Sequence, residues 1–287
     1  MKLTRCADNP ILVPKPENRW EARAVFNCGA VVHNGLVHLV YRAVDPVLRS
    51  SLGYAVSEDG VHFKRLDRPV LGREGQFDTR GVEDPRITRH ADRFYMLYTA
   101  YSPHGTRVSL ASSSNLIAWR RHGVVLPDED NKDAALFPER IRGRYAMLHR
   151  RPPDIWIGFS HDLLHWTDHQ IIMRPEQDWE AKKIGAAGPP IRTPQGWLLI
   201  YHGVDEGQVY RLGAALLDGE DPTRVVARQA EPILEPEEPW EHKGDVPHVV
   251  FSCGAVEWGD SYYVYYGAAD SVICLATVSK NEGLDFA

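Results

Sequence analysis

The stretch "DRFYMLYTA", residues 92–100, is rich in aromatic and aliphatic residues and begins at a turn-type Asp, a pattern typical of a buried β-strand. Four other stretches share this pattern: "GLVHLVYRA" from Gly35, "GRYAMLHRR" from Gly143, "QGWLLIYHG" from Gln195 and "DSYYVYYGA" from Asp260. In chain order, the five starts are separated by 57, 51, 52 and 65 residues. This spacing indicates a repeat architecture.

Two further elements recur in step with that strand. The second is a small or aliphatic strand that enters a polar turn and leaves through an aromatic residue, as in "YAVSEDGVHF", "LASSSNLIAW" and "GFSHDLLHW", with degenerate versions in the last two repeats. The third appears five times, as "NPILVP", "RPVLG", "GVVLP", "QIIMRP" and "EPILEP". Three strand-like elements in a fixed order, with a less regular strand added to each set, describe four-stranded antiparallel blades.

The repeats therefore predict an all-β fold, a five-bladed β-propeller that occupies residues 1–287 as a single domain. Radial closure would protect the edges of its strands. A β-sandwich or two smaller β domains would also give short, regular strands, but neither explains a count of five.

Composition narrows the possible partners. The net charge is -6 and the pI is near 6.1, with no run of basic residues, so nothing favours nucleic acid or an anionic membrane as a ligand. The N-terminus lacks the apolar segment of a signal peptide, and the four cysteines form no C-x-x-C pair. Scattered thiols in a chain of this size fit a reducing compartment, so we predict a soluble, cytoplasmic protein with a small ligand.

Alignment of the five strands brings several polar side chains into register. The aligned residues are Tyr41, Tyr98, His149, Tyr201 and Tyr266, and each is followed by Arg42, Thr99, Arg150, His202 or Gly267. If this position lies at the inner radius, the cationic members converge on the central cavity; the alternative is that each is a surface residue at a strand end.

Three aspartates follow these strands at nearly equivalent places, namely Asp45, Asp205 and Asp270. An Asp after a strand usually caps its own turn, and one or two of these could also touch a ligand. No H-x-x-x-H or H-E-x-x-H pair is present, so we predict that the protein holds no metal.

The segment "GVEDPRIT", residues 81–88, combines two carboxylates, a proline and an arginine. Pro85 favours an extended conformation for Asp84. The two-residue period of a strand would then place Asp84 and Arg86 on one face and Glu83 on the other. This arrangement predicts a carboxyl group fixed beside a cation, although a simple turn with an Asp–Arg pair is the plainer alternative.

This segment resembles the signature of glycoside hydrolase family 130, the β-mannoside phosphorylases and their hydrolytic relatives, which are five-bladed propellers. Other segments resemble the same family in the same order: "VFNCGAV" (25–31), "LVYRAVD" (39–45), "KDAALFPERI" (132–141), "MLHRRP" (147–152), "KIGAAGPPI" (183–191), "YHGVD" (201–205), "YRLGAAL" (210–216), "DVPHVVFSCGAV" (245–256) and "YYGAAD" (265–270). The resemblance covers nearly the whole chain. The compact length is similar to that of the branch acting on β-1,2-mannosides or mannosyl-N-acetylglucosamine.

The resemblance implies inverting cleavage of a β-mannoside by inorganic phosphate, with release of α-D-mannose 1-phosphate. It implies that Asp84 donates the proton through a sugar hydroxyl. Phosphate requires a cradle of cations, and the positions implied for it are Arg150, Lys183, His202, Lys132 and Tyr210. The positions expected to bind the sugar are Asn27, Arg42, Arg86, Asp133 and Asp270.

Other readings remain open at this point. An inverting β-mannoside hydrolase on the same fold would need a second carboxylate to activate water. A carbohydrate-binding propeller without catalysis would need neither Asp84 nor the basic residues. Glycosidases of other five-bladed families also carry inward carboxylates, but not Arg150, Lys183 and His202 together. The resemblance implies no cofactor beyond phosphate as co-substrate, and it allows a homo-oligomer.

Overall fold

The protein folds as a five-bladed β-propeller; the computed structural model describes residues 1–282. Each blade is an antiparallel sheet that runs outward from an innermost strand, and the N-terminal strand β1 (Thr4–Arg5) belongs to the last blade. Blade 1 contains β2 (Ala24–His33), β3 (Leu36–Val44), β4 (Ser50–Ser57) and β5 (Lys64–Arg65). Blade 2 contains β6 (Gly81–His90), β7 (Arg93–Ser102), β8 (Gly105–Ser113) and β9 (Arg120–Leu126).

The remaining blades follow the same order. Blade 3 contains β10 (Lys132–Leu136), β11 (Tyr145–Arg151), β12 (Asp154–Ser160) and β13 (Thr167–Met173). Blade 4 contains β14 (Lys183–Ala186), β15 (Ile191–Thr193), β16 (Gly196–Val204), β17 (Tyr210–Leu217) and β18 (Val225–Arg228). Blade 5 contains β19 (Val250–Trp258), β20 (Ser261–Ala268) and β21 (Val272–Ser279). Short helical turns occupy Arg19–Glu21, Asp178–Glu180 and Pro239–His242.

The two ends of the described chain meet in blade 5. Strand β1 pairs with β21, with Thr4 opposite Thr277, and Leu12 bridges to Ile273. The "NPILVP" element thus completes the last blade and not the first. Hydrogen bonds between the first and last segments close the ring, which is how a propeller protects its sheet edges.

The five aligned strands are the second strand of each blade, and their predicted register is confirmed. Each residue that follows the aligned aromatic or His pairs with the innermost strand: Arg42 with Phe26, Thr99 with Glu83, Arg150 with Lys132, His202 with Gly185 and Gly267 with Phe251. The innermost strand is the less regular one. Side chains from these first two strands therefore share the space around the axis.

Four of the five blades each contain a buried triad of an acidic residue, a Tyr and an Arg, which joins the strands within that blade. The acid precedes the innermost strand, the Tyr lies on the second strand and the Arg comes from the outer edge of the sheet. The triads are Glu21–Tyr41–Arg65, Asp78–Tyr98–Arg121, Glu180–Tyr201–Arg228 and Glu241–Tyr266–Arg5. In blade 3 the corresponding residues are Asn131, His149 and His169. Because each of these buried Tyr hydroxyls has a hydrogen-bond partner in its triad, the aligned Tyr can lie in the core.

Hydrophobic side chains between neighbouring blades form the core. One cluster joins blades 3 and 4 around Trp197, Phe137 and Tyr201, and another joins blades 4 and 5 around Tyr266, Ile200 and Leu212. Within residues 1–282, no helix is both long enough and apolar enough to cross a membrane.

Candidate active site

Backbone bulges place three polar side chains at the axis. In β2, β6 and β10 the pairing register shifts where an extra residue is inserted, and Asn27, Asp84 and Asp133 lie within these shifts. Their φ angles are 46°, 50° and 55°, in the left-handed region that Asn and Asp tolerate better than most residues. A bulge redirects a side chain that regular pleating would have placed elsewhere. The same device in three neighbouring blades points to a functional centre.

A central cavity of about 110 Å³ opens at the end of the propeller where Asn27, Asp84 and Asp133 lie. Nine of its twelve lining residues are polar or charged or carry a hydroxyl, and the other three are apolar residues of the segment before and within β19. Its lining comprises Asn27, Arg42, Asp84, Lys132, Asp133, Arg150, Lys183, Tyr210, Val246, Val249, Phe251 and Asp270. All but two of the eleven sequence-predicted site residues therefore meet at one cavity; the two exceptions are Arg86 and His202.

The Asp84 carboxyl is held by two donors from blade 1. Asn27 donates from Nδ2 to Asp84 Oδ1 at 2.9 Å, and Arg42 donates from Nη1 to the same oxygen at 3.3 Å. Arg42 also pairs with Glu83 through Nη2 at 2.8 Å. The second carboxyl oxygen, Oδ2, accepts no hydrogen bond within residues 1–282 and remains available to a ligand.

The expectation that Asp84 and Arg86 pair on one face of the strand, with Glu83 on the other, is wrong. The bulge between Glu83 and Arg86 breaks the two-residue period, so one guanidinium, that of Arg42, contacts both carboxylates. The one atom of Asp84 to which Arg86 donates a hydrogen bond is the backbone carbonyl oxygen, which lies 3.0 Å from Arg86 Nη1. The cation beside the Asp84 carboxyl comes from another blade.

Arg86 lies behind the cavity wall with 1% of its surface exposed. Its Nη2 donates to Asp133 Oδ1 and to the Ala186 carbonyl, both at 3.1 Å, and its Nε donates to the Ala187 carbonyl at 2.9 Å. These bonds join blades 2, 3 and 4. The geometry assigns Arg86 to holding the site together from outside the lining of the cavity.

A basic wall faces Asp84 across blades 3 and 4. Lys132, Arg150, Lys183 and Tyr210 all line the cavity, and the Lys183 ammonium lies 5.3 Å from the Tyr210 ring centre. Burial, together with repulsion from Arg150 and Lys132, lowers the pKa of Lys183 to about 8. This wall offers planar and point-charge donors to an anion.

Asp133 and His202 lie at the base of the basic wall. Burial disfavours the Asp133 carboxylate, but the charges of Arg150 and Arg86 outweigh that effect and hold its pKa well below the ordinary range. Arg150 Nη1 lies 2.7 Å from Asp133 Oδ2. His202 is 0% exposed, and burial lowers its pKa well below the ordinary value. Neutral His202 therefore supports Arg150, whose Nη1 lies 3.4 Å from His202 Nε2.

The three aspartates that follow the aligned strands have separate roles. Asp45 accepts bonds from the backbone N–H groups of Val47 and Arg49, and Asp205 accepts one from Val209, so both cap their turns. Asp270 instead lines the cavity, at a φ of 51°. Burial raises the pKa of its carboxyl to about 6, an effect that Arg42 opposes and Asp84 reinforces.

Replacing Asp270 by Asn is expected to stabilise the protein at pH 8. Because the folded-state pKa of about 6 exceeds the ordinary 3.8, ionisation of Asp270 costs stability as the pH rises through this window. The expected gain is about 1–2 kcal/mol, less than the full shift implies because solvent reaches the carboxyl through the cavity. Urea denaturation at pH 8 and at pH 4 measures it, and the gain should vanish at pH 4.

Asp205→Asn is the matched control for that prediction. Asp205 occupies the equivalent place in blade 4, but there the effect of burial is outweighed by the hydrogen bonds from Arg211 and from the Val209 N–H together with the charge of Arg211, and the pKa of Asp205 is lowered. Its replacement should therefore reduce stability at pH 8. Equal effects of the two substitutions would contradict the assigned origin of the Asp270 shift.

Sequence reasoning did not find three apolar wall residues, Val246, Val249 and Phe251. They lie in the segment "DVPHVVF" before and within β19, and their own side chains are apolar, so residue type does not mark them as binding residues. The Phe251 ring packs 4.5 Å from the His202 ring and so forms part of the cavity floor. Position in the fold, and not residue type, identifies them.

Taken together, the cavity holds the Asp84 carboxyl with one unbonded oxygen, hydroxyl-binding groups beside it and a cationic wall opposite. Carboxylates, amides and guanidinium groups suit the hydroxyls of a sugar ring, while the wall suits a divalent oxyanion. The arrangement can therefore bind a sugar and phosphate together, with an acid positioned to deliver a proton.

Comparisons with known proteins give a family model and several similar proteins among the mannoside phosphorylases. The family model described as β-1,4-mannooligosaccharide phosphorylase matches residues 6–287. Two proteins of Thermoanaerobacter sp. (strain X514) are similar: a 1,2-β-oligomannan phosphorylase, 54% identical over 98% of this chain and 99% of that protein, and a β-1,2-mannobiose phosphorylase, 53% identical over 98% of each. The structure of the Listeria innocua β-1,2-mannobiose phosphorylase with β-1,2-mannobiose superimposes with a TM-score of 0.91, at 31% identity over 99% of this chain and 98% of that chain.

Proposed function

This chain belongs to glycoside hydrolase family 130, and we propose that it cleaves β-1,2-linked mannosides by inverting phosphorolysis, releasing α-D-mannose 1-phosphate. The observation that carries the proposal is the pairing, within one cavity, of the Asp84 carboxyl with a wall of Lys132, Arg150, Lys183 and Tyr210. The similarity to phosphorylases named for 1,2-β-oligomannan and β-1,2-mannobiose supports the linkage.

In the proposed reaction, phosphate attacks the anomeric carbon of the terminal mannose while the bond to the glycosidic oxygen breaks. Asp84 supplies the proton that this oxygen needs, through a hydroxyl of the sugar, and becomes a carboxylate. Asn27 and Arg42 hold the carboxyl from blade 1, and Arg42 stabilises the charge it acquires. Attack from the opposite face inverts the anomeric centre from β to α.

The basic wall binds the second substrate, phosphate. Arg150 and the two lysines neutralise phosphate, which carries a charge of about -1.5 to -2 near neutral pH. Asp133 fixes Arg150 at 2.7 Å, and Arg86 in turn fixes Asp133. Phosphate is itself the nucleophile, so the proposed reaction requires no carboxylate to activate water and no cofactor beyond this co-substrate.

The test is to incubate the protein with β-1,2-mannobiose, with and without inorganic phosphate, and to follow the anomeric products by NMR. We expect α-mannose 1-phosphate and free mannose in equal amounts, only when phosphate is present. Mannose as the sole product, at the same rate without phosphate, would establish a hydrolase and reject the proposed role of the basic wall. Binding without any turnover would favour a carbohydrate-binding propeller.

A second expectation concerns Lys183 and pH. Below about pH 8 the ammonium is charged, and above this value the charge is lost, so kcat/KM for phosphate should fall by up to about tenfold per pH unit on the alkaline side. Lys183→Arg keeps a charged side chain throughout this range and should remove the alkaline limb. The measurement is kcat/KM for phosphate between pH 6 and 10, and an unchanged limb in the Arg variant would assign it to another group.

We also propose a cytoplasmic location, supported by the free thiols of Cys6, Cys28, Cys253 and Cys274, of which the last three are buried. The homo-oligomer allowed by the resemblance stays a prediction.

A further inference from the structure

One buried acid beside the active site takes no part in the reaction proposed above. Glu83 precedes Asp84 on β6 and is 8% exposed, but it does not line the central cavity. A buried carboxylate without partners is costly, so such a residue is held by donors. Its donors are Arg42 and Ser50, which are also bonded to one another.

Glu83 shares the guanidinium of Arg42 with Asp84. Arg42 Nη2 donates to Glu83 Oε1 at 2.8 Å, while Arg42 Nη1 donates to Asp84 Oδ1 at 3.3 Å. Ser50 Oγ accepts from Arg42 Nε at 3.1 Å and donates to Glu83 Oε1 at 3.4 Å. One cation therefore serves two carboxyl groups, and Glu83 has the shorter bond to it.

One guanidinium cannot neutralise two carboxylates. Like charges in a buried site repel one another, so such a pair retains a proton over a wide range of pH. Burial raises the pKa of Glu83; Arg42 opposes that rise and Asp84 reinforces it. Asp270 adds to the local negative charge, because it interacts with both Arg42 and Asp84.

The remaining titratable groups around the pair come from several strands. Lys132 on β10 favours the ionised form of Glu83. The other groups that interact electrostatically with Asp84 are Arg86, Tyr210 and Cys253. This Arg is paired with Asp133 at 3.1 Å. Burial raises the pKa of the Tyr and of the Cys, so neither is charged at neutral pH.

The hydrogen bonds place the charge on Glu83 and the proton on Asp84. Charge-assisted bonds stabilise a carboxylate most when they are short, and the bond from Arg42 is shorter to Glu83. Asp84 accepts its bonds from Asn27 and Arg42 at Oδ1 alone. A proton on Oδ2 of Asp84 therefore breaks no hydrogen bond.

We propose that Glu83 is a positioning residue for the proton transfer: its charge engages Arg42, so that Asp84 keeps the proton that it delivers to the leaving group. This inference deepens the proposed function and rests on it. Without the charge of Glu83, Arg42 would neutralise Asp84 alone, and Asp84 would lose its proton at a lower pH.

The first experiment compares Glu83→Gln with the parent chain between pH 4.5 and 9, in both directions of the reaction. Gln keeps an oxygen that accepts from Arg42 but carries no charge. Phosphorolysis requires the protonated form of Asp84, whereas synthesis from α-mannose 1-phosphate and mannose requires its carboxylate. The measured quantity is kcat/KM for mannobiose or for mannose, with the phosphate-bearing substrate saturating.

The two directions should respond with opposite signs. Phosphorolysis by Glu83→Gln should fall by up to about tenfold on the alkaline side and match the parent on the acid side. Synthesis should rise by up to about tenfold on the acid side, and both changes correspond to a shift of about one pH unit. A purely structural role of Glu83 would instead lower both rates at every pH.

Three further variants separate charge from structure. Glu83→Asp keeps the charge on a shorter side chain and should keep the pH profile of the parent, with lower rates. Ser50→Ala removes a neutral donor to Glu83 and should not move the profile. Glu257→Gln removes the same charge at an exposed position near the other end of β19, where it pairs with Lys280, and should change neither the rates nor the profile.

A carboxyl ¹³C NMR titration tests the same coupling without turnover. The Asp84 signal, identified by its absence in Asp84→Asn, should change from the protonated to the ionised form about one pH unit lower in Glu83→Gln than in the parent. An unmoved Asp84 titration, or equal losses of rate in both directions at every pH, would overturn the inference.

The two measurements also distinguish this inference from the proposed function. Phosphorolysis by the parent chain together with an unmoved Asp84 titration in Glu83→Gln rejects only the role of Glu83. A titration that moves as expected in a chain without phosphorolysis rejects the proposed function and supports the coupling of the two carboxyl groups.

Discussion

Replacing Asp84 by Asn is expected to lower kcat for phosphorolysis by about 10²–10⁴-fold, the range in which a positioned general acid contributes. The Asn side chain keeps the oxygen that accepts from Asn27 and Arg42, so the fold should be retained. What it lacks is the transferable proton. Initial rates with β-1,2-mannobiose and phosphate measure the effect, and KM should change little because the carboxamide still binds hydroxyls.

A substrate with a better leaving group separates acid catalysis from simple damage to the site. An aryl β-mannoside needs less protonation at the departing oxygen, so Asp84→Asn should lose less activity with it than with mannobiose. Asp45→Asn is the control, because Asp45 caps its own turn outside the cavity and should leave both rates unchanged. Equal losses for both substrates would contradict the role of Asp84 as the proton donor.

Replacing Arg86 by Met is expected to lower the free energy of unfolding by about 3–5 kcal/mol, the usual cost of removing one partner of a buried ion pair. The substitution fills similar volume but removes the hydrogen bonds that Arg86 donates to Asp133 Oδ1 and to the carbonyls of Asp84, Ala186 and Ala187. For a chain of this size, such a loss lowers Tm by about 10 °C. Urea denaturation and thermal melting measure it directly.

Two further variants test whether the loss of stability in Arg86→Met comes from the buried hydrogen bonds of Arg86. Arg89→Met alters an exposed Arg on the same strand and should change stability by less than about 0.5 kcal/mol. Arg86→Lys keeps the charge but cannot span four acceptors in three blades, so it should recover only part of the loss. If Arg86→Met remained as stable as the parent and lost only substrate affinity, Arg86 would be a substrate-binding residue, as the resemblance implied.

Much of the fold could be predicted because its signals are local. The second strand of each blade is mostly buried and therefore rich in aromatic and aliphatic residues, and its five copies align in the sequence as they do in space. The repeated "WE" of Trp20–Glu21, Trp179–Glu180 and Trp240–Glu241 is a further local signal of the repeat. It marks three of the buried triad acids.

The innermost strands were the least regular in sequence for a physical reason. A bulge and a residue with positive φ interrupt their pleating, so the two-residue period that identifies a strand is lost at the positions that carry Asn27, Asp84 and Asp133. The family signature located these residues, but the period-two argument gave the wrong partner for Asp84. The bulges that place these site residues at the axis therefore remove the two-residue period from which a strand is predicted.

By itself, the sequence determined that the chain repeats five times, that the repeats are β-blades and that its motifs resemble those of the β-mannoside phosphorylases, because strand periodicity and short motifs are properties of neighbouring residues. Only the tertiary structure decided that Arg42 and not Arg86 faces the Asp84 carboxyl, that His202 supports Arg150 from behind, and that Glu83 shares Arg42 with Asp84. These contacts join residues of different blades, which ring closure around the axis brings together.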